Sequence, residues 1–172
     1  MHQDERYKDG MTQGWIDQIQ QAWIITQATG RCLHVGCGQK PIEWAVNIDP
    51  NPDRSPWADH DYNVCDLPFS DDRFDSIVSS HVLPAVQDLY AAMYEMARVL
   101  KPGGYMAHVI PNWMHAPARL SPRFPWQYQH QGWYSPQDFE EYMETYGDIF
   151  RVELCESFPD FEFSFRVRAI RL

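Results

Sequence analysis

The sequence predicts an α/β fold, a three-layer sandwich around a mostly parallel seven-stranded sheet closed by an antiparallel strand from a C-terminal hairpin. Three observations carry this. Short apolar, β-branched runs alternate with helical periods between Arg31 and Gly147; the early runs end in glycine or aspartate; and the last two alternate polar and apolar residues around Pro159-Asp160.

Taken in order, Met1 to Gly10 is expected to be a mobile tail, leaving one domain over 11–172. Trp15, Ile16, Ile19, Trp23 and Ile24 recur at helical spacing, with Thr12 as N-cap and Gly30 as terminator, on a helix expected at the edge of the structure. Strands follow at Arg31–Gly36, Ala45–Asp49, Asp61–Asp66 and Arg73–Ser80. The strongest helical stripe is Leu89, Ala92, Met93, Met96, Val99 and Leu100, capped by Asp88 and stopped by Lys101-Pro102-Gly103-Gly104. Gly104–Ile110 is the fifth strand. Pro111 to Trp133 is too long for an ordinary connection and reads as a lid over a binding site. Ser135-Pro136-Gln137-Asp138 then opens a helix with an N-cap serine, an N1 proline and an acid at N3, and Phe150–Phe158 and Phe161–Ile170 form the hairpin.

Composition narrows the function. The net charge of −10 disfavours partners whose binding rests on neutralising phosphates, so nucleic acid and anionic membrane are not expected. No apolar run is long enough to span a bilayer and no signal peptide is evident, which makes the cytoplasm the expected location. Cys32, Cys37, Cys65 and Cys155 lack metal-site spacing and read as reduced thiols, with no metal expected.

In a parallel α/β sheet, ligands sit beyond the carboxyl ends of the strands at the topological switch point. The glycines after the first strand, Asp49 after the second, Asp66 after the third and Ser79-Ser80-His81 after the fourth should therefore meet in one crevice. Gly36 and Gly38 lack a Cβ and let backbone approach a ligand, and an ionised Asp49 suits paired ribose hydroxyls. A nicotinamide dinucleotide fits poorly. It needs a helix N-terminus for its pyrophosphate, and only Gln39 to Trp44 separate Gly38 from the second strand.

The segments HVGCG (His34 to Gly38), NIDP (Asn47 to Pro50), CDLPFSDDRFDSIVSSHVL (Cys65 to Leu83) and RVLKPGG (Arg98 to Gly104) resemble class I S-adenosylmethionine-dependent methyltransferases, over about residues 31 to 147. The resemblance implies a Rossmann-like fold, S-adenosylmethionine as cofactor, and a cofactor site of Gly36, Cys37, Gly38, Asp49, Asp66, Leu67 and Ser80. In it, Asp66 accepts from the adenine amino group and the Leu67 N–H donates to a ring nitrogen. The first crossover is a trimmed version of the family pattern, and Pro84-Ala85-Val86 replaces a common acid and histidine.

Methyl transfer from a sulfonium is an in-line displacement in which alignment supplies most of the catalysis. For a hydroxyl acceptor, His81 is the best-placed general base. On the lid, Trp113, His115, Tyr128 and His130 offer stacking and polar contacts, and Arg119 and Arg123 could clamp an anionic group, pointing to a small-molecule or glycan-like acceptor. The chain after the fourth strand lacks the prolines and aromatic that grip a flipped nucleobase. The rival readings are a non-catalytic binding or scaffold protein of the same fold and a nicotinamide oxidoreductase.

Overall fold

Cys32, Leu33, His34 and Val35 are all buried, as expected of a strand covered on both faces. They form β1 (Cys32–Val35), the centre of a sheet completed by β2 (Val46–Ile48), β3 (Phe74–Ser80), β4 (Leu100–Pro111), β5 (Phe150–Phe158) and β6 (Phe161–Arg171). The computed structural model describes residues 13–53, 55–112 and 135–172, so the N-terminal tail and nearly all of the lid segment lie outside the described residues.

The strand order is β2-β1-β3-β4-β6-β5. β1 pairs in parallel with β2 and β3, β3 pairs in parallel with β4, and β6 runs antiparallel to both β4 and β5. The fold is α/β and Rossmann-like, with six strands in the sheet among the described residues rather than the seven expected. The chain leaves β1 to one side for β2 and returns to its other side for β3, which puts the switch point at the carboxyl ends of β1 and β3.

The missing strand is Asp61–Asp66. There the Asn63 side chain accepts the Cys65 N–H (3.0 Å) and its carbonyl accepts the Asp66 N–H (3.1 Å), and such local bonds compete with a ladder. Only His60, just before the expected strand, makes a parallel bridge, to Ile48. The adjacent edge of β2 is taken by Asp59, whose Oδ2 accepts the Asn47 N–H at 2.7 Å.

Helix α1 (Gln13–Gln27) crosses the middle of one sheet face rather than lying at an edge. Ile16 and Ile24 pack there with Val78, Ala107 and Val109. The first crossover holds no helix, so α1 covers the apolar surface that such a helix would have covered. Helices α2 (Leu89–Val99) and α3 (Pro136–Glu144) cover the opposite face, where Met93, Met96, Phe139 and Met143 join Leu33, Ile77, Phe165 and Val167 in the main core. Of the three expected N-caps, Thr12 lies outside the described residues and the other two form: Asp88 accepts the Ala91 N–H (2.9 Å) and Ser135 the Asp138 N–H (3.2 Å). The turn expected at 101–104 is absorbed into β4 as an irregularity opposite Asp75, with Gly103 at φ +77°.

Candidate active site

The trimmed crossover needs something in place of a helix, and Asn47 supplies it. Its Oδ1 accepts the Ile42 N–H at 2.8 Å, and its Nδ2 donates to the Ile42 and Ala45 carbonyls, both at 3.0 Å. Oδ1 can only accept, so His34, 3.1 Å away through Nδ1, carries its proton on that nitrogen. His34 is buried on β1, and desolvation lowers its pKa. It belongs to the latch behind the site.

On the near side of the latch the chain turns sharply. Gly36 has φ +64°, and a Cβ there would meet Val82 Cγ2 at 2.3 Å, so no larger residue fits without displacing the segment after β3. The Gly36 and Cys37 N–H groups both donate to the Ile48 carbonyl, at 2.8 and 3.2 Å. Their amides are thus spent on the sheet. Gly38, at φ +53°, faces open space and donates its N–H to Asp49 Oδ2 at 3.1 Å. The Cys37 thiol is buried against Ser55 Oγ at 3.1 Å, and that burial raises its pKa, so it is an inert packing group.

A cavity of about 740 Å³ opens at this point, in the size range of sites that enclose small-molecule ligands. Gly36, Gly38 and Asp49 line one side, Ser80, His81 and Val82 the floor, and Ala85 to Asp88 the far side. The expected convergence of the first, second and fourth predicted strands is therefore present. The remaining wall is Tyr62, Asn63, Val64 and Cys65, which sequence reasoning missed because it placed a strand there. Tyr62 is held by stacking on His60 (centroids 4.6 Å apart) and by an edge contact with Phe69 (5.6 Å), which in turn meets Phe74 of β3.

Asp66 and Leu67 are not in the cavity wall. Asp66 is exposed, and the Leu67 N–H donates to Glu95 Oε2 at 2.8 Å instead of remaining open to a ligand. Glu95 is in turn gripped by Arg98, whose guanidinium also donates to the Leu67 and Phe69 carbonyls, both at 2.7 Å. The segment read as the adenine-binding motif is thus held by a clamp that pins the 67–71 loop to α2.

His81 is the last residue before the chain leaves the sheet and sits at φ +60°, unusual for a residue with a Cβ. The residue is exposed to the cavity, while its Nε2 lies 3.2 Å from the buried Ser164 Oγ. Protein around the ring lowers its pKa, with Asp17 opposing and Lys40 reinforcing the shift. Trp113, His115, Arg119, Arg123, Tyr128 and His130 lie outside the described residues. Among the described residues no cluster of three or more His, Cys, Asp or Glu could hold a metal ion, and no helix is long and apolar enough to cross a membrane.

Comparison with known proteins agrees with this arrangement. Residues 7–148 match the model of a methyltransferase domain. A stretch of 54 residues is 46% identical to a demethylmenaquinone methyltransferase from Mycobacterium marinum, covering 27% of this chain; the match spans 23% of that relative's own length. Among solved structures, an S-adenosylmethionine-dependent methyltransferase from Thermotoga maritima superposes with a TM-score of 0.66 at 16% identity, covering 90% of this chain and 89% of its own. A methyltransferase from Haloferax volcanii, solved in complex with a methyltransferase activator, gives 0.67 at 18% identity, covering 92% and 91%. The family match spans most of the chain, and the chain belongs to the methyltransferase-domain family, the class I fold whose members use S-adenosylmethionine.

Proposed function

We propose that this protein transfers a methyl group from S-adenosylmethionine to a small-molecule or glycan-like acceptor. The observation that carries the cofactor assignment is the charge of the cavity: its lining contains Asp49 and Asp88 and, among the described residues, no lysine or arginine. Such a lining suits a cofactor with a sulfonium and an ammonium, and repels a pyrophosphate. When bound, S-adenosylmethionine supplies a methyl group activated by the adjacent sulfonium.

The protein's own part is placement. Gly38 and Asp49 hold the ribose end, Tyr62 to Cys65 form the wall for the base, and Ser80 and His81 face the reacting end. The acceptor side is assigned to the segment 111–133 on sequence grounds, through its aromatic residues and Arg119 and Arg123. In-line alignment then supplies most of the rate.

Calorimetric titration with S-adenosylhomocysteine tests the reading, followed by a labelled-methyl screen of hydroxylated and amine-bearing small molecules and glycans. No heat and no thermal shift at millimolar ligand would sink it. Binding without turnover of any acceptor would favour the non-catalytic relative.

A further inference from the structure

A chain of three polar side chains reaches from α1, through the sheet, to the cavity floor. Gln20, 4% exposed, donates from Nε2 to Ser164 Oγ at 3.0 Å, and Ser164, 1% exposed, lies 3.2 Å from His81 Nε2. With Gln20 donating to its oxygen, the serine hydroxyl proton has one remaining acceptor among the described residues, His81 Nε2. A buried hydroxyl keeps its proton in a hydrogen bond where one is available.

We infer that Gln20 and Ser164 are positioning residues that fix His81 as its Nδ1–H tautomer, so that His81 offers the cavity a hydrogen-bond donor rather than a general base. Nε2 carries the ring's one lone pair suited to proton abstraction, and the serine occupies it. Nδ1 then carries the proton and has no partner among the described residues. The left-handed backbone at His81 serves the same end. It turns the residue out of β3 while the His81 N–H still donates to the Val109 carbonyl at 2.8 Å. A neutral Nδ1–H donor suits an acceptor group that presents a lone pair, such as a carbonyl, ether or hydroxyl oxygen.

What His81 donates to rests on the methyltransferase reading; the tautomer does not. Proton–nitrogen correlation spectra of histidine-labelled full-length protein at neutral pH, with His81 assigned from a His81→Asn variant, read the tautomer directly. The expected result is Nδ1–H in the wild type, Nε2–H in Ser164→Ala, and Nδ1–H restored in Ser164→Thr, which keeps the hydroxyl. An Nε2–H wild type, or one tautomer common to wild type and Ser164→Ala, overturns the inference; if Ser164→Ala does not fold, the wild-type spectrum still decides. S-adenosylhomocysteine titration separates the two readings. Ser164→Ala should bind it within about twofold of wild type, because the relay governs the reacting end rather than the ribose end. A wild type that fails to bind it removes the methyltransferase reading and leaves the tautomer result standing.

Discussion

Asp49 receives the Gly38 N–H on Oδ2 at 3.1 Å and, through Oδ1, the Asn51 N–H at 3.0 Å, so one carboxylate ties together the turns after β1 and β2. Each oxygen keeps a second lone pair, and the residue is half-buried at the cavity wall. Under the proposed cofactor reading, the geometry that fixes both turns also pre-orients an acceptor for ribose hydroxyls. Asp49→Ala is expected to weaken S-adenosylhomocysteine binding at least about tenfold, since hydrogen bonds to a charged group contribute about 1.5–3 kcal/mol each. Calorimetric titration measures this, and an unchanged affinity would remove the ribose assignment.

The Asn47 latch makes a prediction about stability rather than binding. Asn47→Ala strands the Ile42 N–H, two carbonyls and His34 Nδ1 in a buried setting. At about 1–3 kcal/mol per unsatisfied buried group, partly relieved by relaxation, the loss should be about 3 kcal/mol or more. Urea unfolding monitored by tryptophan fluorescence reads it. A loss below about 1 kcal/mol would mean that the crossover is held by packing around Ile42 alone.

These two residues mark the boundary of what the sequence made legible. The place of Asp49 at the cavity wall was readable because the carboxyl ends of parallel strands converge at the switch point, and the cavity forms there. Five of the seven predicted strands fall within about two residues of their places and β4 starts earlier than expected, since burial on both faces leaves a strong apolar signature. Asn47 was not readable. Its role depends on a carbonyl and an amide five residues away meeting one side chain, and no local pattern encodes that. The third strand failed for a related reason: the alternation in DYNVCD fits a strand, but Asn63 spends it on a local turn. The Leu67 N–H looked available to a ligand because its partner, Glu95, lies 28 residues away on α2.

Two buried histidines set a pH dependence. His108 bonds Ser79 Oγ through Nδ1 at 2.7 Å, its Nε2 is buried without a partner, and burial pushes its pKa down to about 3; His34 is shifted in the same direction. A histidine with a folded pKa below its unfolded value binds fewer protons when folded. Its contribution is therefore complete above the unfolded pKa of about 6.5 and is lost as pH falls toward the folded value. The stabilisation from the Asp75 and Glu95 carboxylates, also shifted down, is complete above about pH 4.5 and is lost only below it, so the interval between about pH 6.5 and 4.5 isolates the histidines. Stability should fall there by up to about 1.4 kcal/mol per pH unit for each histidine. His81, also shifted down, contributes in the same interval, so in His108→Gln the slope in urea unfolding should drop by about a third, and an unaltered slope would show that His108 is not titrating with unfolding.

The loop between Tyr62 and Asp71 presents one side to the cavity and the other to a clamp, and substitutions should separate the two. Arg98 donates to the Leu67 and Phe69 carbonyls, to Asp71 and to Glu95, while Glu95 accepts the Leu67 N–H. Lysine has one ammonium and cannot reach four acceptors with a planar fork, so Arg98→Lys should cost about 2 kcal/mol, a fall in Tm of about 4–8 °C for a domain of this size. The same variant should leave S-adenosylhomocysteine affinity within about threefold, because the wall itself is Tyr62 to Cys65. Asn63→Ala should weaken that affinity by about tenfold, removing a side chain at the wall and the turn that shapes it. Asp66→Ala, at an exposed position off the wall, should change neither melting nor binding appreciably. The decisive contrast is Asn63 against Asp66 in one titration series. A larger loss at Asp66 than at Asn63 would return the adenine contact to the position that the motif alone implied, and would require the loop to rearrange around Glu95 when the cofactor binds.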